Sequence, residues 1–267
     1  MCDTCGCNIT PGNQRFAYKP VEKGATAVTV LQGLLKQNDD QAAHNRAHFD
    51  RRGMLAINLM SSPGSGKTAL LEATIAALKN EFRIAVIEGD LETENDAQRI
   101  RAQGVPAHQI VTGTACHLDA HLVHDALHHM NLDGIDLLFI ENVGNLVCPA
   151  SFDLGQHLNV TLLSVTEGDD KPAKYPVMFR AADAMLISKT DLLPYLDDFD
   201  PARAESNLRN LASPVPVMRL SARNGENMRA WFDWLRTELA AQCKRVASGQ
   251  SRRPAIQPEG TQLHVAG

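Results

Sequence analysis

No apolar run in the sequence approaches the roughly 18 residues needed to cross a bilayer, so no membrane-spanning helix is expected. The first residues lack the charged stretch and apolar core of a secretory signal, and a cytoplasmic chain with reduced thiols is expected. Basic charge is not in excess: 26 Lys+Arg against 31 Asp+Glu give a formal net charge of −5. Neither nucleic acid nor an acidic membrane surface is therefore an expected partner. There is no internal repeat. Cysteine is scarce, six in 267 residues, yet Cys2, Cys5 and Cys7 fall within the first seven. In a reduced compartment such a cluster points to ligands or redox groups rather than to structural disulfides.

What is present divides into four parts. A composition 44% hydrophobic and 21% charged is that of a globular protein. The length accommodates one domain of roughly 200 residues with chain left over. Residues 1–24 form a Cys-, Gly- and Pro-containing head without hydrophobic period. Residues 25–52 are expected to form two helical stretches, the first with Val28, Leu31, Leu34 and Leu35 at spaced positions. Residues 53–242 alternate short apolar runs with amphipathic segments. The runs "LAINLM", "IAVIEG", "QIVTG", "DLLFIEN", "VTLLSV" and "AMLISK" read as buried strands. That alternation predicts an α/β fold, a mostly parallel sheet with helices on both faces. Residues 243–267, polar and Pro/Gly-rich, are expected to be disordered.

After the first strand comes "SSPGSGKTALLEATIAAL", beginning at Ser61. It meets the phosphate-loop pattern G-x-x-x-x-G-K-[ST] except at its first position, where Ser61 stands. Ser62, Pro63, Gly64, Ser65 and Gly66 would curl backbone N–H groups around a phosphate, with the positive end of the following helix aimed at it. Lys67 would bridge the β- and γ-phosphates and the Thr68 hydroxyl would bind Mg²⁺. The bland alternative is a Gly/Ser turn with a chance lysine. The strand before it and the amphipathic helix after it favour a nucleotide site.

The base is read downstream. "AMLISKTDLL" ends in Ser188-Lys189-Thr190-Asp191, close to the guanine-reading sequence N-K-x-D. Asp191 would accept from guanine N1–H and the 2-amino group. Adenine offers neither, and would leave a buried carboxylate unpaired. The Lys189 stem would cover the base. "RLSARNGENM" supplies Ser221 and Ala222, where GTPases set a backbone N–H against guanine O6. Ser188 departs from the usual Asn, which is expected to loosen the tie between base site and phosphate loop. Two acidic strand ends, Asp90 in "VIEGDLET" and Glu141 in "LLFIENVGN", are candidate Mg²⁺ ligands. Each read alone is equally a polar residue closing a buried strand. Gly144 stands three after Glu141, where it would sense a γ-phosphate. Asn145 follows it, in place of the glutamine that orients water in fast GTPases.

Taken together, these residues resemble the HypB family of P-loop (SIMIBI-type) GTPases, which assist nickel insertion into [NiFe]-hydrogenase. The resemblance covers nearly all of residues 1–242 and is carried by "CDTCGC", "SSPGSGKT", "EGDLETENDA", "TGTACHLDAH", "ENVGNLVCPASFDLG", "SVTEGDDKPAKYP" and "SKTDLLPY". It implies slow conversion of GTP to GDP, GTP-promoted homodimerisation and nickel handling. It also implies a small HypA-like metallochaperone and the hydrogenase large-subunit precursor as partners. Rival readings are a P-loop kinase, a nickel buffer that binds nucleotide without hydrolysis, and a GTPase serving another metalloenzyme such as urease.

Cys2-x-x-Cys5-x-Cys7 brings three thiolates within chelating reach. Soft sulfur suits Zn, Cu(I) or Ni, and a planar set completed by a nitrogen, such as the α-amine, favours Ni(II). A redox Cys-x-x-Cys and a zinc knuckle remain open, although a knuckle normally needs a fourth nearby ligand. Cys116-His117 and Cys148 follow two different strands. Parallel strands bring their C-terminal ends to one edge, so these three can meet there as a Zn²⁺ or Ni²⁺ site. The residues alone leave two buried structural cysteines equally open. The resemblance favours the metal. His117, His121, His124 and His128 follow helical spacing and read as a solvated face, with weak nickel sites as the rival. Cys243 receives no role.

Overall fold

The computed structural model describes residues 27–90, 95–113, 115–211 and 213–254. Seven strands form one sheet in the order β3-β2-β4-β1-β5-β6-β7. They are β1 (Leu55–Ser61), β2 (Ile84–Asp90), β3 (Ala107–Val111), β4 (Leu137–Glu141), β5 (Leu158–Ser164), β6 (Ala184–Ser188) and β7 (Val217–Arg219). Every neighbouring pair is parallel. The long strands are apolar without alternation because both faces are covered. Leu55, Ile57 and Leu59 of β1 pack toward α2 (Lys67–Leu78) and α8 (Met228–Ala247), whose Trp231 is fully buried. Ala56, Ala85, Ile87, Leu138 and Ile140 face the other way, toward α1 (Ala27–Arg51) and α4 (Ala120–Leu127). The remaining helices are α3 (Asn95–Ala102), α5 (Lys171–Lys174), α6 (Pro176–Arg180) and α7 (Pro201–Arg209), with 3₁₀ turns at Cys148–Ser151 and Thr190–Tyr195.

Two boundaries differ from the sequence reading. Residues 27–51 form one continuous helix, not two stretches. The polar Asn38-Asp39-Asp40 step is a poor helix former in isolation, but tertiary bonds hold it. Asn38 Nδ2 donates to Asp153 O at 2.8 Å and its Oδ1 accepts from Ala120 N at 2.9 Å. About two turns later, Arg46 forms a buried pair with Asp153 at 2.6 Å. At the other end α8 runs past residue 242 to Ala247. Arg252 beyond it pairs with Glu238. Residues 1–24 and 255–267, including Cys2, Cys5 and Cys7, lie outside the described residues.

Candidate nucleotide and metal sites

The loop from Ser61 to Gly66 joins the C-terminal end of β1 to α2. Gly64 and Gly66 take φ values of +72° and +97°, the left-handed region that glycine enters without steric cost. Lys67 is buried with its Nζ donating to Ser61 Oγ at 3.0 Å. The serine at the irregular first position thus holds the lysine. Ser65 Oγ donates to Ser62 O at 2.7 Å and braces the turn.

The segments that carry the candidate base readers close over this loop. Ser65, Gly66, Lys189, Asp191, Ser221 and Ala222 contribute to the lining of a cavity of ≈ 280 Å³. Ser221 Oγ donates to Asp191 Oδ1 at 2.6 Å, which fixes one carboxylate oxygen. Lys189 lies across the loop, its Nζ donating to Gly64 O at 2.6 Å. At Ser188, where Asn is usual, the hydroxyl itself reaches the loop: Ser188 Oγ donates to Ser65 O at 2.7 Å.

Beside Lys67 and Thr68 the structure places Glu141, as expected, and next to it Glu88, which the sequence reading did not name. Thr68 Oγ1 donates to Glu141 Oε1 at 3.1 Å, and Lys67 Nζ stands 3.8 Å from the same oxygen. Glu88 is the direct register partner of Glu141 across the β2–β4 pair. Burial, then the charge of Glu141, pushes the Glu88 carboxyl up to about 11. Burial raises Glu141 as well, against the pull of Lys67. No donor among the described residues reaches Glu88 Oε1 or Glu141 Oε2. Two such groups side by side share a proton or a cation. An all-oxygen set of Thr68 and two buried carboxyls fits Mg²⁺. Asp90 closes β2, two residues past Glu88 on the same strand. Glu88 was missed in the sequence, where the signal was a lone acid inside an otherwise apolar buried strand.

The other site is assembled from two loops at the same sheet edge. Cys116 Sγ and Cys148 Sγ are 3.0 Å apart, and His117 Nδ1 lies 3.7 Å from Cys116 Sγ. The ligand atoms of all three fall within 4.8 Å of one another. The His117 ring stacks on Phe152, with centroids 4.0 Å apart. Burial lowers the His117 pKa, which keeps a lone pair available. Two sulfurs and an imidazole suit Zn²⁺ or Ni²⁺. Asn145 supplies a feature that sequence reasoning did not foresee. Its Oδ1 accepts from Val147 N at 2.7 Å and Cys148 N at 3.3 Å, orienting the turn that bears Cys148.

A family model described as "CobW/HypB/UreG, nucleotide-binding domain" matches residues 55–219. The hydrogenase maturation factor HypB of Azotobacter chroococcum mcd 1 is 52% identical over 244 residues, covering 90% of this chain and 79% of that one. This chain belongs to the HypB family. The HypB of Escherichia coli (strain K12) is 53% identical over 208 residues, 78% of this chain and 71% of that one. A crystal structure of HypB from Helicobacter pylori in complex with nickel superposes with a TM-score of 0.74 at 41% identity, covering 77% of this chain and 96% of that one. HypB of Archaeoglobus fulgidus gives 0.72 at 38% identity, with 77% and 100% coverage. The chain is thus a P-loop GTPase of the HypB type. No helix among its described residues is long and apolar enough to cross a membrane.

Proposed function

We propose that this HypB protein is a slow GTPase that carries nickel for hydrogenase maturation, its nucleotide state coupled to the metal set at Cys116, His117 and Cys148. GTP occupies the phosphate loop with guanine against Asp191, Ser221 and Ala222. Water attacks the γ-phosphate, and Lys67 stabilises the charge that develops on its oxygens. Bound Mg²⁺, held by Thr68 and Glu141 with Asp90 or Glu88, would neutralise β/γ-phosphate charge. Without the ion, Glu88 would share a proton with Glu141, its register partner, and would give it up when the cation binds. Asn145 caps the Cys148 turn and leaves no glutamine to orient water, which supports a low intrinsic rate. The Cys2, Cys5 and Cys7 head, homodimerisation with GTP, and delivery with a HypA-like partner to the hydrogenase large subunit complete the reading. So does a cytoplasmic location.

The observation that carries the coupling is the approach of Gly144 to Pro63. A Cβ on Gly144 would come within 2.7 Å of Pro63 Cα, so the two backbones touch. Asn145 N donates to Ser61 O at 2.8 Å next to it. The loop that carries Cys148 is therefore seated on the phosphate loop. Asn142 adds a second link, its Oδ1 accepting from Leu118 N at 3.1 Å, one residue past His117.

The deciding experiment measures phosphate release with GTP and ATP, with and without Ni²⁺ and Zn²⁺. Slow release from GTP alone, altered by metal, is expected. Equal release from ATP would remove the guanine assignment, and no release at all would favour a metal buffer.

A further inference from the structure

The histidine run along α4 is not used by the nucleotide site, and packing changes its meaning. Helix α1 lies against α4 and brings His44 to it. The His124 and His128 Nε2 atoms are 3.1 Å apart. The His44 ring stands edge-on to His124, with centroids 5.2 Å apart.

Hydrogen bonding fixes the His124 tautomer. Asn45 Nδ2 donates to Ala120 O at 2.8 Å and to Leu154 O at 3.1 Å, so the Asn45 amide oxygen is the acceptor side. His124 Nδ1 lies 3.2 Å from that oxygen and must carry the hydrogen. The lone pair of His124 is then on Nε2, facing His128. A ring nitrogen oriented by an amide oxygen on its far side is the arrangement that metal-binding histidines use. Burial first, then the neighbouring His128 and His44, lowers the His124 pKa, which favours the neutral ligand form.

We propose that His124 and His128 form a divalent transition-metal site at the α1–α4 seam, separate from Cys116, His117 and Cys148, with the His44 ring packed edge-on beside it. The 3.1 Å separation is a hydrogen bond in the ion-free form, and two imidazoles at adjacent coordination positions suit Ni²⁺ or Cu²⁺. His128 is exposed and accepts the ion from solvent with a small ring rotation, passing its own proton to Nδ1. The site does not depend on the nucleotide reading.

The test uses the full, untagged chain with Cys2, Cys5, Cys7, Cys116, Cys148 and Cys243 replaced by Ser, so that no thiol competes. Ni²⁺ is titrated calorimetrically, and Cu²⁺ is read by its nitrogen hyperfine couplings. One remaining ion is expected. His124→Ala or His128→Ala should weaken it by roughly tenfold or more, and His44→Ala by a smaller factor. His129→Ala, on the exposed neighbour that stacks on His108 instead, should change nothing. Should the thiol-free chain fail to fold, the native chain decides by stoichiometry: His128→Ala should bind one Ni²⁺ fewer than the parent. Unchanged Ni²⁺ binding in His128→Ala, or equal loss in His129→Ala, would overturn the site.

Discussion

Asp191 shows how much one side chain decides. With Oδ1 bound by Ser221, its remaining acceptor capacity faces the cavity. Asp191→Asn replaces an acceptor with a donor, so GTP should weaken and xanthosine triphosphate gain. The shift should be on the order of 2–3 kcal/mol, a factor of roughly 30–150. Competition binding with the three nucleotides measures it, and an unchanged preference for guanine would place the base elsewhere. Lys67 behaves differently because it is held in the ground state by Ser61 and Glu141. Lys67→Ala should abolish phosphate release, since the other lysine at the loop, Lys189, has its Nζ engaged by Gly64 O.

The attachment of α1 to the sheet rests on a buried histidine. Ala56 N donates to His157 Nδ1 at 2.9 Å, so His157 is neutral with its hydrogen on Nε2, 3.0 Å from Asp50 Oδ1. Gln242 of α8 donates to the same Asp50 oxygen at 2.9 Å. This cluster ties α1, β1 and α8 together. Burial, which outweighs the Asp50 carboxylate, lowers the His157 pKa from 6.5. Between the folded value and 6.5 the unfolded chain binds more protons. Stability is therefore full above about pH 6.5 and falls below it, by up to about 1.4 kcal/mol per pH unit. Thermal melts from pH 7.5 to 5 should show this slope. His157→Gln, which can still accept from Ala56 and donate to Asp50, should flatten it. An equal slope in the variant would assign the acid sensitivity to other groups.

Across the whole molecule, the contact of Gly144 with Pro63 joins two ligand sites at one sheet edge. If the loop moves with the γ-phosphate, metal affinity at Cys116, His117 and Cys148 must differ between GTP and GDP states. Metal must then shift the GTP-versus-GDP preference by the same factor, about 5- to 150-fold for a coupling of 1–3 kcal/mol. The measurement is Ni²⁺ and Zn²⁺ titration of protein lacking Cys2, Cys5 and Cys7, with GDP and with a non-hydrolysable GTP analogue. Gly144→Ala, which must push the loops apart, should lower the factor. Identical metal affinities in both states would make the cysteine set structural and leave the GTPase standing.

Local chemistry explains what could be read directly. The phosphate loop was legible because glycine conformations, a lysine and a hydroxyl at fixed spacing specify a phosphate cradle without distant partners. The buried strands were legible because parallel strands covered on both faces are apolar at nearly every position. Cys116, His117 and Cys148 could be brought to one edge in thought, since parallel connectivity sets which strand ends meet. Other features required register and packing. Glu88 gains its meaning only opposite Glu141 in β4, 53 positions away in the chain. Ser188 keeps its bridge because the β6 end lies close enough to Ser65 for a short hydroxyl. α1 stays unbroken because Asp153 and Ala120 satisfy Asn38 and Arg46 from outside the helix. His124 and His128 share a face by helical spacing, but only the packing of α1 sets Asn45 behind His124 and His44 beside it. Spacing along the chain fixes which residues share a loop or a helix face; contacts between distant segments depend on how those surfaces are pressed together.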